Sequence, residues 1–159
     1  MSRVLTLSEL SNAAREWHRD GAVIVLACGC WDPLHPGHVQ HLEAARKEGN
    51  VLIVGVASDH LVRTHKQKPD GPRRPFMPDA HRAMTVAGLR CVDAAVVNHA
   101  ACELIEVLRP HVYVKGEEYR GNLTPDLEAE SALLATYGGR LEFLSGGLIC
   151  SSTAMLAAV

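Results

Sequence analysis

Residues 22–38 read AVIVLACGCWDPLHPGH, and they place a chemically rich turn directly after a continuous apolar run. The run from Ala22 to Cys28 has no polar residue, which predicts a strand covered on both faces, as in a parallel sheet. Pro36 suits the first turn of a helix, because its missing N–H has no partner there anyway. A buried strand, a short turn and a helix form the first unit of an α/β fold.

The same alternation of strands and helices continues outward from this unit. The predicted strands are Ala22–Cys28, Val51–Ala57, Ala94–Val97, His111–Val114 and Arg140–Leu144. The predicted helices are Ser8–Arg19 with Ser8 as its cap, Pro36–Glu48, Pro78–Leu89, Ala100–Leu108, Thr124–Tyr137 and Ser151–Ala158. The segment His60–Met77 is rich in proline and basic residues, so we expect a mobile loop with at most one helical turn at its start.

This pattern predicts a Rossmann-like, doubly wound α/β fold with a five-stranded parallel sheet. We expect residues 1–159 to form a single domain, with a leading helix in residues 1–20. Ligands of such folds bind at the carboxyl ends of the strands, near the point where the strand order reverses. The turn after the first strand is therefore the first place to look for chemistry.

Composition excludes several classes of protein. The chain has 159 residues, of which 47% are hydrophobic and 21% charged, too apolar a mixture for a disordered chain. A net charge of −2 lacks the basic excess of a protein that coats duplex nucleic acid, and 4% aromatic residues are too few for base-stacking platforms. We therefore expect no nucleic-acid partner.

Membranes and disulfides are also not expected. No apolar run approaches the roughly 20 residues of a spanning helix, and the first ten residues contain no signal-peptide core. We expect no membrane partner and a cytoplasmic location. The five cysteines are an odd number without framework spacing, which predicts free thiols.

His35 and His38 are the strongest chemical signal in the turn. Side chains three residues apart at a helix start share a face, where the backbone N–H groups attract an anion. Gly37 between them lets a ligand approach the backbone closely. Two imidazoles donating to a phosphoryl group would stabilise the charge that builds up during a displacement. The sequence has no dinucleotide fingerprint and no P-loop, so the phosphate grip must come from such groups.

Two plainer interpretations compete with this one. A histidine pair at this spacing is often only surface decoration. A metal site is the other, because five potential ligands fall within fourteen residues: Cys28, Cys30, His35, His38 and His41. Cys28 and Cys30 straddle the end of a buried strand, however, and no second ligand pair has zinc spacing, which disfavours a structural metal.

Residues 29–38, GCWDPLHPGH, resemble the G-x-F-D-x-x-H-x-G-H signature of the cytidylyltransferase-like nucleotidyltransferases, with Trp31 in place of Phe. Further segments match in order: Ser58-Asp59 resembles S-D, and Arg74-Pro75 with Arg82 resembles R-P…R. Residues 113–119, YVKGEEY, are similar to the V-K-G-x-D-Y segment of the heptose-phosphate adenylyltransferase branch, and residues 150–153, CSST, to its C/R-S-T-T segment. The resemblance extends from Leu5 to Leu156.

The resemblance implies a role for each matching residue. Four would be catalytic: His35, His38, Arg82 and Lys115. Nine would bind the nucleotide: Gly29, Cys30, Trp31, Asp32, Gly37, Gly116, Ser151, Ser152 and Thr153. Four would bind the second substrate: Asp59, Lys66, Arg74 and Glu118. Asp32 would also help to hold Mg²⁺.

The implied reaction transfers AMP from ATP to a sugar 1-phosphate, with a heptose 1-phosphate as the acceptor, and gives an ADP-sugar and pyrophosphate. Mg²⁺ as cofactor and a homodimer are implied as well. Four departures from the branch fall where the acceptor would be recognised: Glu118 replaces Asp, Glu117 stands where Gly is common, Cys28 replaces Asn, and the loop Lys66–Met77 is longer and richer in proline and arginine. They put the identity of the sugar in question and leave the reaction type intact.

Three alternatives stay open at the level of sequence. The first is a cytidylyltransferase that joins CTP to an alditol or amino-alcohol phosphate. The second is a nucleotide-binding protein without turnover, because motifs do not prove activity. The third is a regulatory domain that binds a metal through the segment 28–41.

Overall fold

The computed structural model describes residues 4–145 and 152–158, and a five-stranded parallel sheet forms its centre. The strands are β1 (Ile24–Gly29), β2 (Val51–Ala57), β3 (Ala94–Asn98), β4 (Val112–Gly116) and β5 (Arg140–Leu144). Their order across the sheet is β3-β2-β1-β4-β5, and every neighbouring pair is parallel. The strand order reverses between β1 and β4, so the predicted Rossmann-like fold is confirmed and its switch point lies at the end of β1.

Helices flank the sheet on both faces. They are α1 (Leu7–Arg19), α2 (Pro36–Arg46), α3 (Asp59–Lys66), α4 (Asp79–Ala87), α5 (Ala101–Leu108), α6 (Pro125–Ala135) and α7 (Ser152–Ala157), and a 3-10 turn covers Glu117–Tyr119. None of the helices in the described ranges is long and apolar enough to cross a membrane.

Two apolar clusters, one on each face, hold the layers together. Successive side chains of β1 alternate between them, because residues of a strand point to opposite faces in turn. Ile24 and Leu26 pack with α1, α5 and α6, whereas Val25 and Ala27 pack with α2 and α4. All four are fully buried, which is why the run from Ala22 to Cys28 carries no polar residue.

Helix α1 begins earlier than the sequence predicts. Its cap is Thr6, not Ser8, and a capping box fixes it. The Thr6 hydroxyl accepts the Glu9 N–H at 3.2 Å, and the Glu9 carboxylate accepts the Thr6 N–H at 2.8 Å. Two otherwise unpaired N–H groups are satisfied at once, an advantage that Ser8 could not offer.

The segment predicted as a loop after β2 is partly helical. Its residues 60–66 belong to α3, which begins at Asp59 and is capped by the Ser58 hydroxyl, which accepts the Leu61 N–H at 3.2 Å. Proline and glycine residues interrupt the chain only after Lys66, so that the irregular segment is 67–78. Strand β4 also extends two residues beyond its predicted end, which puts Lys115 and Gly116 on the sheet.

Candidate functional site

A cleft of about 1050 Å³ opens at the carboxyl ends of the strands, at the switch point of the sheet. Most of the residues predicted for the site contribute to its walls. Those that line the cleft are Gly29, Cys30, Trp31, Asp32, His35, Gly37, His38, Lys66, Arg74, Lys115, Gly116, Glu118 and Ser152.

The histidine pair stands at the start of α2. His35 is the N-cap residue, and its Nδ1 accepts the backbone N–H of His38 at 3.3 Å. The two rings stack with centroids 3.6 Å apart and planes inclined by 17°. His35 is 6% exposed, so the cap fixes one ring and the stack orients the other toward the cleft.

Trp31 packs against the His38 ring of this pair. Its indole N–H donates to the Gly55 carbonyl at 2.9 Å, and its ring meets the His38 ring edge-on at 5.1 Å. The backbone of Trp31 has a φ of 53°, a left-handed conformation that is unfavourable for a bulky residue. Its one polar hydrogen is already used, so Trp31 positions His38 and offers no polar contact to a nucleotide.

Burial keeps the imidazoles of the site neutral. It lowers the pKa of His38 to about 4, with smaller contributions from the neighbouring His35 and His41. Burial is also the main cause that lowers the pKa of His35 and of His41. The Nδ1 atom of His38 is buried and has no hydrogen-bond partner in the described part of the chain. An anion in the cleft would restore proton affinity to these rings.

Lys115 brings a positive charge to the same cleft from the end of β4. Its Nζ lies 4.9 Å from the centre of the Tyr119 ring and 5.7 Å from that of Tyr113. The next residue, Gly116, lies against the Glu118 carboxylate, which would have to move if Gly116 carried a Cβ. The segment predicted from the V-K-G resemblance therefore folds into the site as a unit.

The last helix closes the cleft beside α2. The Ser152 hydroxyl donates to the Pro33 carbonyl at 3.1 Å, which ties the start of α7 to the turn before the histidines. Ser151 lies outside the described residues, as does the side chain of Thr153. Their predicted contacts to the nucleotide stay predictions.

Arg74 and Lys66 reach the cleft from the segment that joins α3 to α4. Arg74 is only 8% exposed, and its Nε lies 3.9 Å from an oxygen of Asp32. That Nε makes no hydrogen bond with any described residue, so the guanidinium has unused capacity toward an anion. Lys66 is exposed at the rim.

Arg82 does not have the predicted catalytic position. It is fully buried, and three acceptors surround its guanidinium: the carbonyls of Met77 and Cys30 at 2.8 and 2.6 Å, and the Asp59 carboxylate at 2.8 Å. Asp59 also accepts the Asp79 N–H at 2.8 Å, so it joins α3 to α4, and it is not among the residues that line the cleft. Both residues position the site from behind its wall.

Asp32 is likewise occupied by the protein itself. Its two oxygens accept the N–H groups of Phe76 and Met77 at 2.6 and 2.9 Å, and its side chain is fully enclosed. A carboxylate held in this way beside Arg74 does not fit the predicted Mg²⁺ ligand. Within residues 4–145 and 152–158, no three histidine, cysteine, aspartate or glutamate side chains form a group that could hold a metal ion.

Among the polar residues that line the cleft without having been predicted for the site, three are buried: Asn98, Tyr113 and Glu130. For two of them the sequence contains a signal. Asn98 is the polar residue that ends an apolar strand, and Glu130 lies on the buried face of α6 between Leu127 and Leu134.

Known proteins resemble the chain in sequence and fold. The family model for cytidylyltransferase-like proteins matches residues 26–136. The bifunctional protein HldE of Syntrophotalea carbinolica is 37% identical over 145 residues, which cover 90% of this chain and 28% of that protein. HldE of Wolinella succinogenes is 39% identical over 142 residues, which cover 87% of this chain and 29% of that protein. This chain thus spans less than a third of these curated relatives.

A solved structure shows the same fold. The lipopolysaccharide core biosynthesis protein from Thermoplasma volcanium GSS1 superposes with a TM-score of 0.63 over 82% of this chain and 100% of that one. Its sequence identity of 24% supports the architecture alone.

Proposed function

The chain belongs to the cytidylyltransferase-like family of nucleotidyltransferases, and from this premise we propose that it transfers AMP from ATP to a heptose 1-phosphate. The residues of the cleft and the relatives named HldE support this choice. The relatives are much longer, and this chain matches only 28% and 29% of their length, so their names describe proteins that contain more than the matched portion.

In the proposed reaction, an oxygen of the sugar phosphate attacks the α-phosphorus of ATP. A new P–O bond forms there as the bond to the β-phosphate oxygen breaks. Pyrophosphate carries away the electron pair, and the sugar is left joined to AMP. Catalysis would consist of in-line positioning and of stabilising charge on the phosphoryl oxygens, without a covalent enzyme intermediate.

The observation that carries the proposal is the stacked histidine pair at the start of α2. Its rings are neutral, and His38 Nδ1 has no hydrogen-bond partner among the described residues, in the first turn of a helix. Such a group binds a polyphosphate and gains proton affinity as negative charge develops, which is the charge change of phosphoryl transfer. Lys115, from the neighbouring strand, would bind the nucleotide or the departing pyrophosphate.

The acceptor phosphate would bind between Arg74 and Lys66. Arg74 has an unused, buried Nε, and a guanidinium can hold a phosphate through two hydrogen bonds. Mg²⁺ as the partner of ATP, a homodimer and a cytoplasmic location stay predictions. A metal ion would arrive with the triphosphate, because the Asp32 carboxylate is enclosed and already accepts the Phe76 and Met77 N–H groups.

The test is pyrophosphate release in magnesium buffer, with ATP, CTP, GTP and UTP crossed against a panel of sugar 1-phosphates that includes heptose 1-phosphates. We expect release with ATP and a heptose 1-phosphate, and none when the acceptor is left out. Release with CTP and an alditol phosphate would replace the proposal by the cytidylyltransferase alternative. ATP binding with no release across the panel would favour a binding protein without turnover.

A further inference from the structure

The cleft has a second polar region on the sheet face opposite the histidines. We call it the polar recess, and it consists of Cys28, Asn98, Tyr113, Glu130 and the first turn of α5. Cys28 and Tyr113 belong to the apolar layer of α1, α5 and α6, not to that of α2 and α4. The roles assigned above use none of these residues.

Asn98 is the clearest sign that this recess binds a ligand. The residue is 2% exposed, and its Oδ1 has no hydrogen-bond partner among the described residues. The buried Tyr113 hydroxyl has polar neighbours in the Glu130 carboxyl and the Cys28 thiol, whereas Asn98 Oδ1 has none that bonds it. Buried polar atoms are nearly always hydrogen-bonded in folded proteins, so Asn98 Oδ1, in the wall of the cleft, calls for a partner from outside the described residues.

The start of α5 adds donors to this acceptor. The cap residue is Ala100, which has no side chain to bond the first turn, and Ala101 and Cys102 line the cleft. The first N–H groups of a helix have no partner within the helix. The recess thus contains both N–H donors, from the start of α5, and an acceptor, Asn98 Oδ1, which is two to four residues away along the chain.

Two side chains of the recess are neutral. Burial raises the pKa of the Cys28 thiol to about 12 and raises that of Tyr113 well above its ordinary value, so both stay protonated at neutral pH. Burial also raises the pKa of Glu130, whereas the nearby Lys115 ammonium lowers it. Asn98 Oδ1 can only accept a hydrogen bond, so it matches a hydroxyl group, which can donate, better than a phosphate dianion, which cannot.

Topology places Asn98 and the first turn of α5 toward the proposed acceptor, whereas Tyr113 lies nearer Lys115, on the same strand. Asn98 ends β3, and the neighbouring strand β2 leads into α3, which carries Lys66. On the other side of the switch point, Ser152 is hydrogen-bonded to the turn after β1. Lys115 lies at the end of β4. A ligand bound by Lys66 and Arg74 therefore lies on the side of Asn98, and the triphosphate on the side of Ser152.

We infer that Asn98 and the first turn of α5 bind the uncharged hydroxyl groups of the acceptor sugar, with the Tyr113 hydroxyl at the floor of the recess. The inference rests on the proposed function, because it assigns the substrate class that the same cleft selects. Asn98 is then a specificity residue that favours acceptors with several hydroxyls over a bare phosphate.

Steady-state kinetics of two variants test this. Asn98→Ala and Tyr113→Phe each remove a hydrogen-bonding group, and Tyr113→Phe removes a single oxygen. We expect the KM for heptose 1-phosphate to rise about tenfold in each, with the KM for ATP unchanged within about twofold. Asn122→Ala, on the exposed segment before α6, is the matched control and should behave as the wild type.

Direct binding separates failure of this inference from failure of the proposed function. If the wild type releases no pyrophosphate from any pair, the proposed function fails, and calorimetry still measures the Kd of heptose 1-phosphate. Asn98→Ala should then weaken that Kd about tenfold and leave the Kd of inorganic phosphate unchanged. An unchanged heptose 1-phosphate KM or Kd in both variants would overturn the inference. A rise confined to the KM for ATP would overturn it too and assign the recess to the nucleoside.

Discussion

Two pairs of histidines lie at opposite ends of the sheet, and among the described residues only the pair at the carboxyl ends has a buried ring nitrogen without a hydrogen-bond partner. At the amino ends of the strands, the His18 and His111 rings are 5.3 Å apart and both residues are exposed. His18 Nε2 donates to the Leu108 carbonyl at 2.9 Å, and His111 Nδ1 accepts the Ile24 N–H at 3.0 Å. At the carboxyl ends, His35 and His38 are stacked and more deeply buried, and His38 Nδ1 is unpartnered.

The comparison teaches that residue type alone does not distinguish a structural histidine from one that binds a ligand. A buried hydrogen-bonding atom without a partner among the described residues does distinguish them. The His18–His111 pair joins α1, α5, β1 and β4, and these contacts explain its presence. The protein itself offers no such explanation for the free face of His38. The same criterion, whether the polar atoms of a side chain already have partners, divides the charged residues near the cleft into those that stabilise the fold and those that we expect to bind substrate.

Arg82 gives the largest expected effect on stability. By this criterion it is structural, because described acceptors surround its buried guanidinium. Arg82→Ala should lower the free energy of unfolding by about 3 kcal/mol, since the change strands Asp59 and two carbonyls. Urea unfolding measures this, with the exposed Arg63→Ala as the control. If Arg82→Ala unfolded like the wild type but lost turnover, Arg82 would instead be a catalytic residue, as the sequence predicts.

The second prediction concerns how His38 makes the stability of the protein depend on pH. The pKa of His38 is about 4 in the folded protein, against about 6.5 in the unfolded chain. Between these values the unfolded chain binds more protons, so the free energy of unfolding falls as the pH falls. The lowered pKa values of His35, His41 and His111 act in the same direction.

Urea unfolding at pH 7 and pH 5 should therefore show a smaller loss of stability in His38→Ala than in the wild type. The exposed His60→Ala is the matched control and should lose as much as the wild type. Equal losses in all three proteins would mean that His38 has an ordinary pKa.

Cys30 gives the smallest expected effect. The cleft uses its backbone, because its carbonyl accepts from Arg82, and its side chain has no assigned role. Cys30→Ser should change kcat and KM by less than about twofold, since only a weakly polar sulfur becomes oxygen. A collapse of activity together with loss of bound zinc would favour the metal interpretation of residues 28–41.

The sequence predicts the sheet and the side of the cleft that contains the histidines, because these depend on local signals. An apolar run followed by a proline-started helix places His35 and His38 without knowledge of the rest of the chain. The family match confirms the resemblance read from residues 29–38. Lys115 follows a buried strand and is placed in the same way.

Partners distant in sequence are what the sequence does not predict. Asp32 is saturated by N–H groups 44 and 45 residues away, and Arg82 reaches Cys30 across 52 residues. Either side chain could have faced the solvent or a ligand, and only packing decides. Tyr113 was missed for the converse reason, since an aromatic residue inside a strand is ordinarily part of the core.

The most direct measurement of the central claim is kcat for pyrophosphate release by His38→Ala and His111→Ala, with ATP and the acceptor that the wild type uses. The two variants remove one imidazole from each end of the sheet. We predict a loss of about a hundredfold or more in His38→Ala with an unchanged circular dichroism spectrum, and a change within about twofold in His111→Ala. Wild-type turnover in His38→Ala would remove the stacked pair from the mechanism and contradict the account.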